Sequence, residues 1–222
     1  MPGTPPVHNN ELIDDSSTMM TITPGFDRNS FWLITKGTFD PFFRCYKIDP
    51  NGISRTPIIS AGPTGALGTL EISPDGKILA LRTPLELYDF DYRLGTITRF
   101  ANLSLANIGP GDWMEFSQTS NALYVASGFP NRGLHYFNIT SKFQPDIINS
   151  RTQLDGRDIK GISLTKAGYI LVTTDDGNGG PNTRMSYIRS PDNDSANLGY
   201  LVDFIELGRN PWNGLPNIPS YQ

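Results

Sequence analysis

The stretch Leu70-Glu71-Ile72-Ser73-Pro74-Asp75-Gly76-Lys77-Ile78-Leu79-Ala80-Leu81 reads as strand, turn, strand. Leu70 and Ile72 alternate with Glu71, which is the period of a strand with one covered face. Pro74-Asp75-Gly76 then supplies turn chemistry: a proline with fixed φ, a short acid that accepts nearby backbone N–H groups, and a glycine free to take positive φ. Ile78 to Leu81 is a continuous apolar run, as expected of a strand covered on both faces.

The pattern recurs. Met114-Glu115-Phe116-Ser117 precedes Thr119-Ser120-Asn121 and Ala122-Leu123-Tyr124-Val125, and Ile162-Ser163-Leu164-Thr165 precedes Ala167-Gly168 and Ile170-Leu171-Val172. A looser first copy is Met20-Thr21-Ile22-Thr23-Pro24-Gly25, followed by Phe31-Trp32-Leu33-Ile34. A third strand follows in every copy: Cys45 to Asp49, Leu87 to Asp91, Leu134 to Asn138 and Met185 to Ile188, with Ile48, Phe90, Phe137 and Ile188 in the same place. Fourth strands are expected at Ile53 to Ile59, Thr96 to Leu103, Phe143 to Ile148 and Leu201 to Leu207.

Each unit is thus four short strands in about 45 residues, the length of one β-propeller blade. One such sheet cannot bury both of its faces, whereas stacking sheets around an axis covers them. The fold class expected is therefore all-β, with about four four-stranded antiparallel blades that form all or part of a propeller. A β-sandwich is the main alternative, although it gives no reason for four matched units. The expected division is a tail over 1–17, blades over roughly 18–62, 63–106, 107–155 and 156–208, and an extended tail over 209–222.

Composition narrows the function classes. A net charge of −4 with no Lys/Arg-rich segment lacks the footprint of a nucleic-acid binder. No apolar run reaches the roughly 18–20 residues that span a bilayer as a helix. The single cysteine, Cys45, excludes an intramolecular disulfide and reads as a buried thiol on a strand. Met1 to Ser17 is polar and carries Pro2, Pro5 and Pro6, so it does not read as a secretory signal peptide.

The ordered set Phe31-Trp32-Leu33-Ile34-Thr35, Tyr46-Lys47-Ile48-Asp49, Asn51-Gly52-Ile53-Ser54, Pro57 to Ser60, Ile72 to Lys77, Leu87 to Asp91 and Gly214-Leu215-Pro216-Asn217 resembles the large propeller domain of Bacteroidetes surface proteins. These are the proteins exported by type IX secretion that carry a type B sorting domain. The resemblance covers about residues 18–222 and implies a cell-surface or secreted origin. It also implies that the chain corresponds to the C-terminal part of a larger propeller, since family members usually have more than four blades. An open arc of four blades would leave two sheet faces bare, so the chain is expected either to close on itself or to pair with another chain.

Candidate chemistry is sparse. Asp175, Asp176 and Asn178, in the loop Asp175-Asp176-Gly177-Asn178-Gly179-Gly180, are oxygen donors of the kind calcium prefers, although the EF-hand spacing is not met. His135 occupies the place of Tyr46 and Tyr88 and reads as a strand residue, without the companions of a Ser-His-Asp triad or a zinc site. His8 lies in the polar tail. Asp49, Asp91 and Asn138 recur just after the third strand, where each suits a turn by accepting the N–H two residues on. Trp32, Trp113, Tyr88, Tyr124 and Phe31 read as core, and Trp212 is the candidate binding residue among the aromatics. The reading favoured is a non-catalytic interaction or scaffold module with a protein or glycan partner. The alternatives are a metal-dependent propeller hydrolase of lactonase or esterase type and a non-functional fragment.

Overall fold

The computed structural model of the chain describes residues 18–27, 29–175 and 182–209. Both expected tails, apart from Arg209, lie outside these residues. The described chain forms four separate antiparallel sheets. The first contains β1 (Thr18–Pro24), β2 (Phe31–Gly37) and β3 (Phe42–Asp49), with an outer strand split into β4 (Gly52–Ile53) and β5 (Ile58–Ala61). The split falls around Pro57, which has no N–H for the ladder. The second runs β6 (Leu67–Ile72), β7 (Ile78–Thr83), β8 (Glu86–Asp91), β9 (Thr96–Asn102). The third runs β10 (Met114–Phe116), β11 (Ala122–Ser127), β12 (Gly133–Asn138), β13 (Thr152–Asp155), and the fourth β14 (Ile159–Leu164), β15 (Ile170–Asp175), β16 (Asn182–Ile188), β17 (Tyr200–Arg209). These sheets are the blades of a β-propeller.

One expected strand is absent. Phe143 to Ile148 lies not in a strand but largely in a short helix, α1 (Gln144–Asn149), and the outer strand of the third sheet comes later, at β13. Pro145 explains the change: it cannot pair in a ladder, but it is accepted in the first turn of a helix, where its missing N–H would have had no partner. Ile147 of this helix is fully buried against the core between the second and third sheets.

Packing follows the alternation of side chains along each middle strand. On β7, Leu79 and Leu81 join Trp32, Ile34, Phe43 and Cys45 in one core, while Ile78 and Ala80 join Phe116, Leu123, Val125 and Phe137 in the next. On β11, Ala122 and Tyr124 face Ile162, Ile170, Val172 and Ile188 in the third. Each of the three cores therefore lies between consecutive sheets, and the middle strands are buried on both faces. The first strands are innermost: β6 packs beside β1, β10 beside β6, and β14 beside β10.

A hydroxyl at the end of each of the last three inner strands closes the hairpin that follows. Ser73 Oγ accepts the N–H of Ile78 at 2.9 Å, Ser117 Oγ that of Ala122 at 3.0 Å, and Thr165 Oγ1 that of Tyr169 at 3.0 Å. Gly76 takes φ +70° in the first of these turns, a conformation nearly free to glycine alone.

Candidate functional site

In a four-stranded antiparallel sheet the second hairpin and the exit to the next sheet fall at the same end. That end collects the loop 38–41, the connection 103–113, the loop 128–132 and the connection 156–158. Phe39, Leu105 and Phe129 project from three of these segments and are 80%, 75% and 87% exposed.

The loops beneath them are fixed. Arg82, at the end of β7, is buried, and its Nη2 donates to Gly109 O at 2.8 Å and to Ala126 O at 2.5 Å. The connection presses so closely on β11 that a Cβ on Gly111 would stand 2.6 Å from Ala126 O. Burial lowers the Arg82 guanidinium to about 10, against an opposing effect of Asp112, and it remains a cation at neutral pH. Ser127 Oγ donates to Asn131 O at 2.6 Å, and Asn131 Nδ2 also reaches Asn107 O.

His135 lies beside this knot. It is fully buried, with Nε2 2.9 Å from Asn131 O, and burial above all holds its pKa below the usual histidine value. The ring is therefore neutral at pH 7 and acts as a packed strand residue, facing the second sheet with its strand partner Val125.

Charges on the third and fourth sheets at this end are paired with one another. Arg157 forks onto Asp155, with Nη2 2.6 Å from Oδ2, and also reaches Asp203, which Arg184 contacts at 2.9 Å. The bonds from Arg157 and Tyr200 hold the Asp155 carboxyl below its ordinary pKa against the larger opposing effect of burial. Lys160 Nζ stands 2.7 Å from Asp158 Oδ2 and 3.6 Å from Asp175 Oδ2. Asp175, expected as a calcium donor, thus faces an ammonium group. Asp176 and Asn178 lie outside the described residues, as does Trp212. Among the described residues no group of three or more His, Cys, Asp or Glu side chains gathers as a metal cage.

The inner strands carry a second feature, one that sequence reading passed over. Glu71 and Glu115 occupy the same repeat position, each next to last in its strand, β6 and β10, and sit close enough to repel. Burial first, and then the charge of Glu115, drives the Glu71 carboxyl well above the ordinary value. Burial pushes Glu115 up to about 7, although its oxygens accept the N–H groups of Leu164 at 2.9 Å and Phe116 at 3.1 Å. The signal was present in the repeat: a glutamate between apolar neighbours, twice, at one register. Arg82 left no such signal, because a lone arginine at a strand end reads as exposed.

The remaining sequence expectations resolve as follows. Cys45 is a fully buried free thiol that burial pushes up to about 12. Asp49, Asp91 and Asn138 each accept the N–H two residues on, at 2.8, 2.8 and 3.0 Å. Trp32, Tyr88 and Tyr124 are core, and Trp113 is partly buried against the core of the third and fourth sheets. Phe31 corrects the reading: it is 42% exposed, because it lies on the face of the first sheet that points away from the second.

Comparison with known proteins matches this geometry to propellers. A candidate 6-phosphogluconolactonase from Bacteroides uniformis superposes with TM-score 0.53 at 15% identity, covering 84% of this chain and 53% of that one. A candidate 6-phosphogluconolactonase from Bacteroides fragilis gives TM-score 0.53 at 14% identity, covering 84% and 54%. The likeness is one of fold, and the chain spans about half the length of the propellers it matches. No protein-family model matches the chain, and no characterised protein matches it by sequence.

Proposed function

We propose that this chain is a non-catalytic recognition module of a bacterial surface or secreted protein, and that the loop end bearing Phe39, Leu105 and Phe129 is its binding surface. The observation that carries this reading is the contrast at that end. Large apolar side chains stand in solvent at the end where Arg82 and Ser127 tie down the loops, while charged groups of the third and fourth sheets at that end are engaged with one another. Exposed apolar groups on a rigid base suit association with a protein partner, and an ordered loop loses little freedom on binding.

The test compares the wild-type chain with a Phe39→Ser, Phe129→Ser double variant on immobilised bacterial envelope proteins and on a glycan array. Binding by the wild type that the double variant loses supports the reading, and the surface that retains the wild type tells protein from glycan. Equal binding by both forms contradicts it.

A second reading, a metal-dependent hydrolase of lactone or ester type, draws support from the Glu71–Glu115 pair at the inner strands and from the names of the two propellers above. Turnover of a lactone or aryl ester that is lost on chelation and on Glu115→Gln would favour it.

A further inference from the structure

Two segments of the candidate surface are joined to each other: the connection 103–113, which bears Leu105, and the loop 128–132, which bears Phe129. Gly128 N–H donates to Pro110 O at 2.7 Å, and Asn131 Nδ2 reaches Asn107 O. The segments lie so close that a Cβ on Gly109 would stand 2.5 Å from Phe129 O. Asn131 is itself held through its carbonyl, to which Ser127 Oγ donates at 2.6 Å and from which His135 Nε2 stands 2.9 Å. Because that oxygen can only accept, the neutral ring of His135 carries its proton on Nε2.

His135 is fully buried on β12, and its other ring nitrogen, Nδ1, has no hydrogen-bond partner among the described residues. The two charged side chains that act on the ring are both positive, Arg151 and Arg82. Arg82 comes from the end of β7 and donates to Gly109 O and Ala126 O, while Arg151 comes from the segment ahead of β13 and donates to Ala106 O. Both arginines thus rest on backbone carbonyls. Of the other charged groups nearby, Asp112 of the connection acts on Arg82, and Arg132 of the loop stands 3.6 Å from Asp158. A proton added at Nδ1 would meet no acceptor and would set a third positive charge beside two, which a buried place tolerates poorly.

We infer that His135 is an acid-sensitive latch on the segments that carry Leu105 and Phe129. Neutral, it holds Asn131 and keeps the two segments joined. Protonated, it leaves its place beside Arg82 and Arg151, the segments part, and the surface they form lets its partner go. Only this last step rests on the reading of that end as a binding surface, since the latch itself needs no partner. Burial foremost lowers the ring's pKa in the joined state, the Asn131 carbonyl opposes this, and Arg151 and Arg82 add to the lowering. In the parted state the ring meets water and regains the ordinary value of about 6.5. Below that pH the parted state takes up a proton that the joined state refuses, so the latch is firm at pH 7 and weakens as pH falls.

Amide hydrogen exchange of the full chain by NMR, corrected for the intrinsic pH dependence of exchange, tests this. The reporter is the Gly128 N–H, which bridges the two segments. Its protection is expected to fall about tenfold between pH 7 and pH 5, the scale set by one proton, while that of Ile78 in the second sheet holds. A local amide is read because the Glu71–Glu115 pair contributes the opposite slope to global stability over this range. His135→Gln keeps an N–H near the place of Nε2 and cannot titrate, so its Gly128 protection stays level. Arg151→Gln removes one of the two facing charges from a half-buried position, and its protection falls less than that of the wild type; it carries the test if His135→Gln does not fold. Level protection in the wild type, or a fall of equal size in the wild type and the variants, overturns the latch. Envelope proteins or glycans that capture the wild type at pH 7 should release it at pH 5 but retain His135→Gln, and equal retention of both at pH 5 overturns the last step. No capture at pH 7 contradicts the binding surface and not the latch, which the amide decides.

Discussion

The backbone N–H of Leu164 donates to Glu115 Oε2 at 2.9 Å, so a carboxylate of the third sheet ties down the inner strand of the fourth. The same carboxylate repels Glu71 of the second sheet. Both groups keep their protons to higher pH in the folded chain than in the unfolded one. Between the ordinary glutamate value of about 4 and about 7, the native state holds protons that the unfolded state has released. Stability therefore falls as pH rises through that window, and Glu71, also held well above its ordinary value, adds to the fall. Glu71→Gln, which removes one charge and no hydrogen bond described for Glu115, is expected to raise the melting temperature at pH 8 by a few degrees. It should also flatten the decline between pH 5 and 7. Calorimetry across that range reads both; an unaltered profile would show that the two carboxyls do not interact.

Arg82 joins the second and third sheets through two carbonyls. Arg82→Ala leaves Gly109 O and Ala126 O without this donor and opens a void between the sheets. The expected loss is about 2–4 kcal/mol in urea unfolding, since buried acceptors are left without water. Arg82→Lys should recover only part of it, because one short ammonium head replaces a planar fork. A loss below about 0.5 kcal/mol, the scale of an ordinary surface change, would mean the side chain is solvent-borne.

Cys45 sits in the core between the first and second sheets, with its thiol pushed up to about 12 by burial. Thiolate is the reacting form, so the native chain should stay unlabelled by a disulfide reagent at pH 8 and label fully in denaturant. Rapid labelling of the native chain would show the first two sheets parted.

The hydroxyl at the end of the inner strand recurs as a hairpin closure. Ser73→Ala removes the acceptor for Ile78 N–H, a buried group, and is expected to cost about 1–2 kcal/mol. Ser73→Thr should recover most of it, as Thr165 does the same work in the fourth sheet. Equal stability of the alanine and threonine variants would remove the hydroxyl from the account.

The fold was legible because its signal is periodic. Leu70-Glu71-Ile72-Ser73 and its copies put apolar pairs, a hydroxyl and a turn at matched spacing, and the structure places each on an inner strand and its hairpin. The helix at Gln144–Asn149 was not legible, because six residues are under two turns and show no period, and only Pro145 marked it. Phe31 was misread because an apolar residue on a sheet's last face looks the same in sequence as one on a covered face. The site was harder still. Arg82, Gly109 and Ala126 meet only after two sheets have packed, and the exposure of Phe39 and Phe129 is set by tertiary packing rather than by local pattern.

A crystal structure of the chain tests the central claim most directly. It should show four separate antiparallel sheets with β1, β6, β10 and β14 side by side at the inner edge, and Leu79 and Leu81 facing away from Ile78 and Ala80 into different cores. Strands merged into two facing sheets, or β7 with one face in water, would contradict the account.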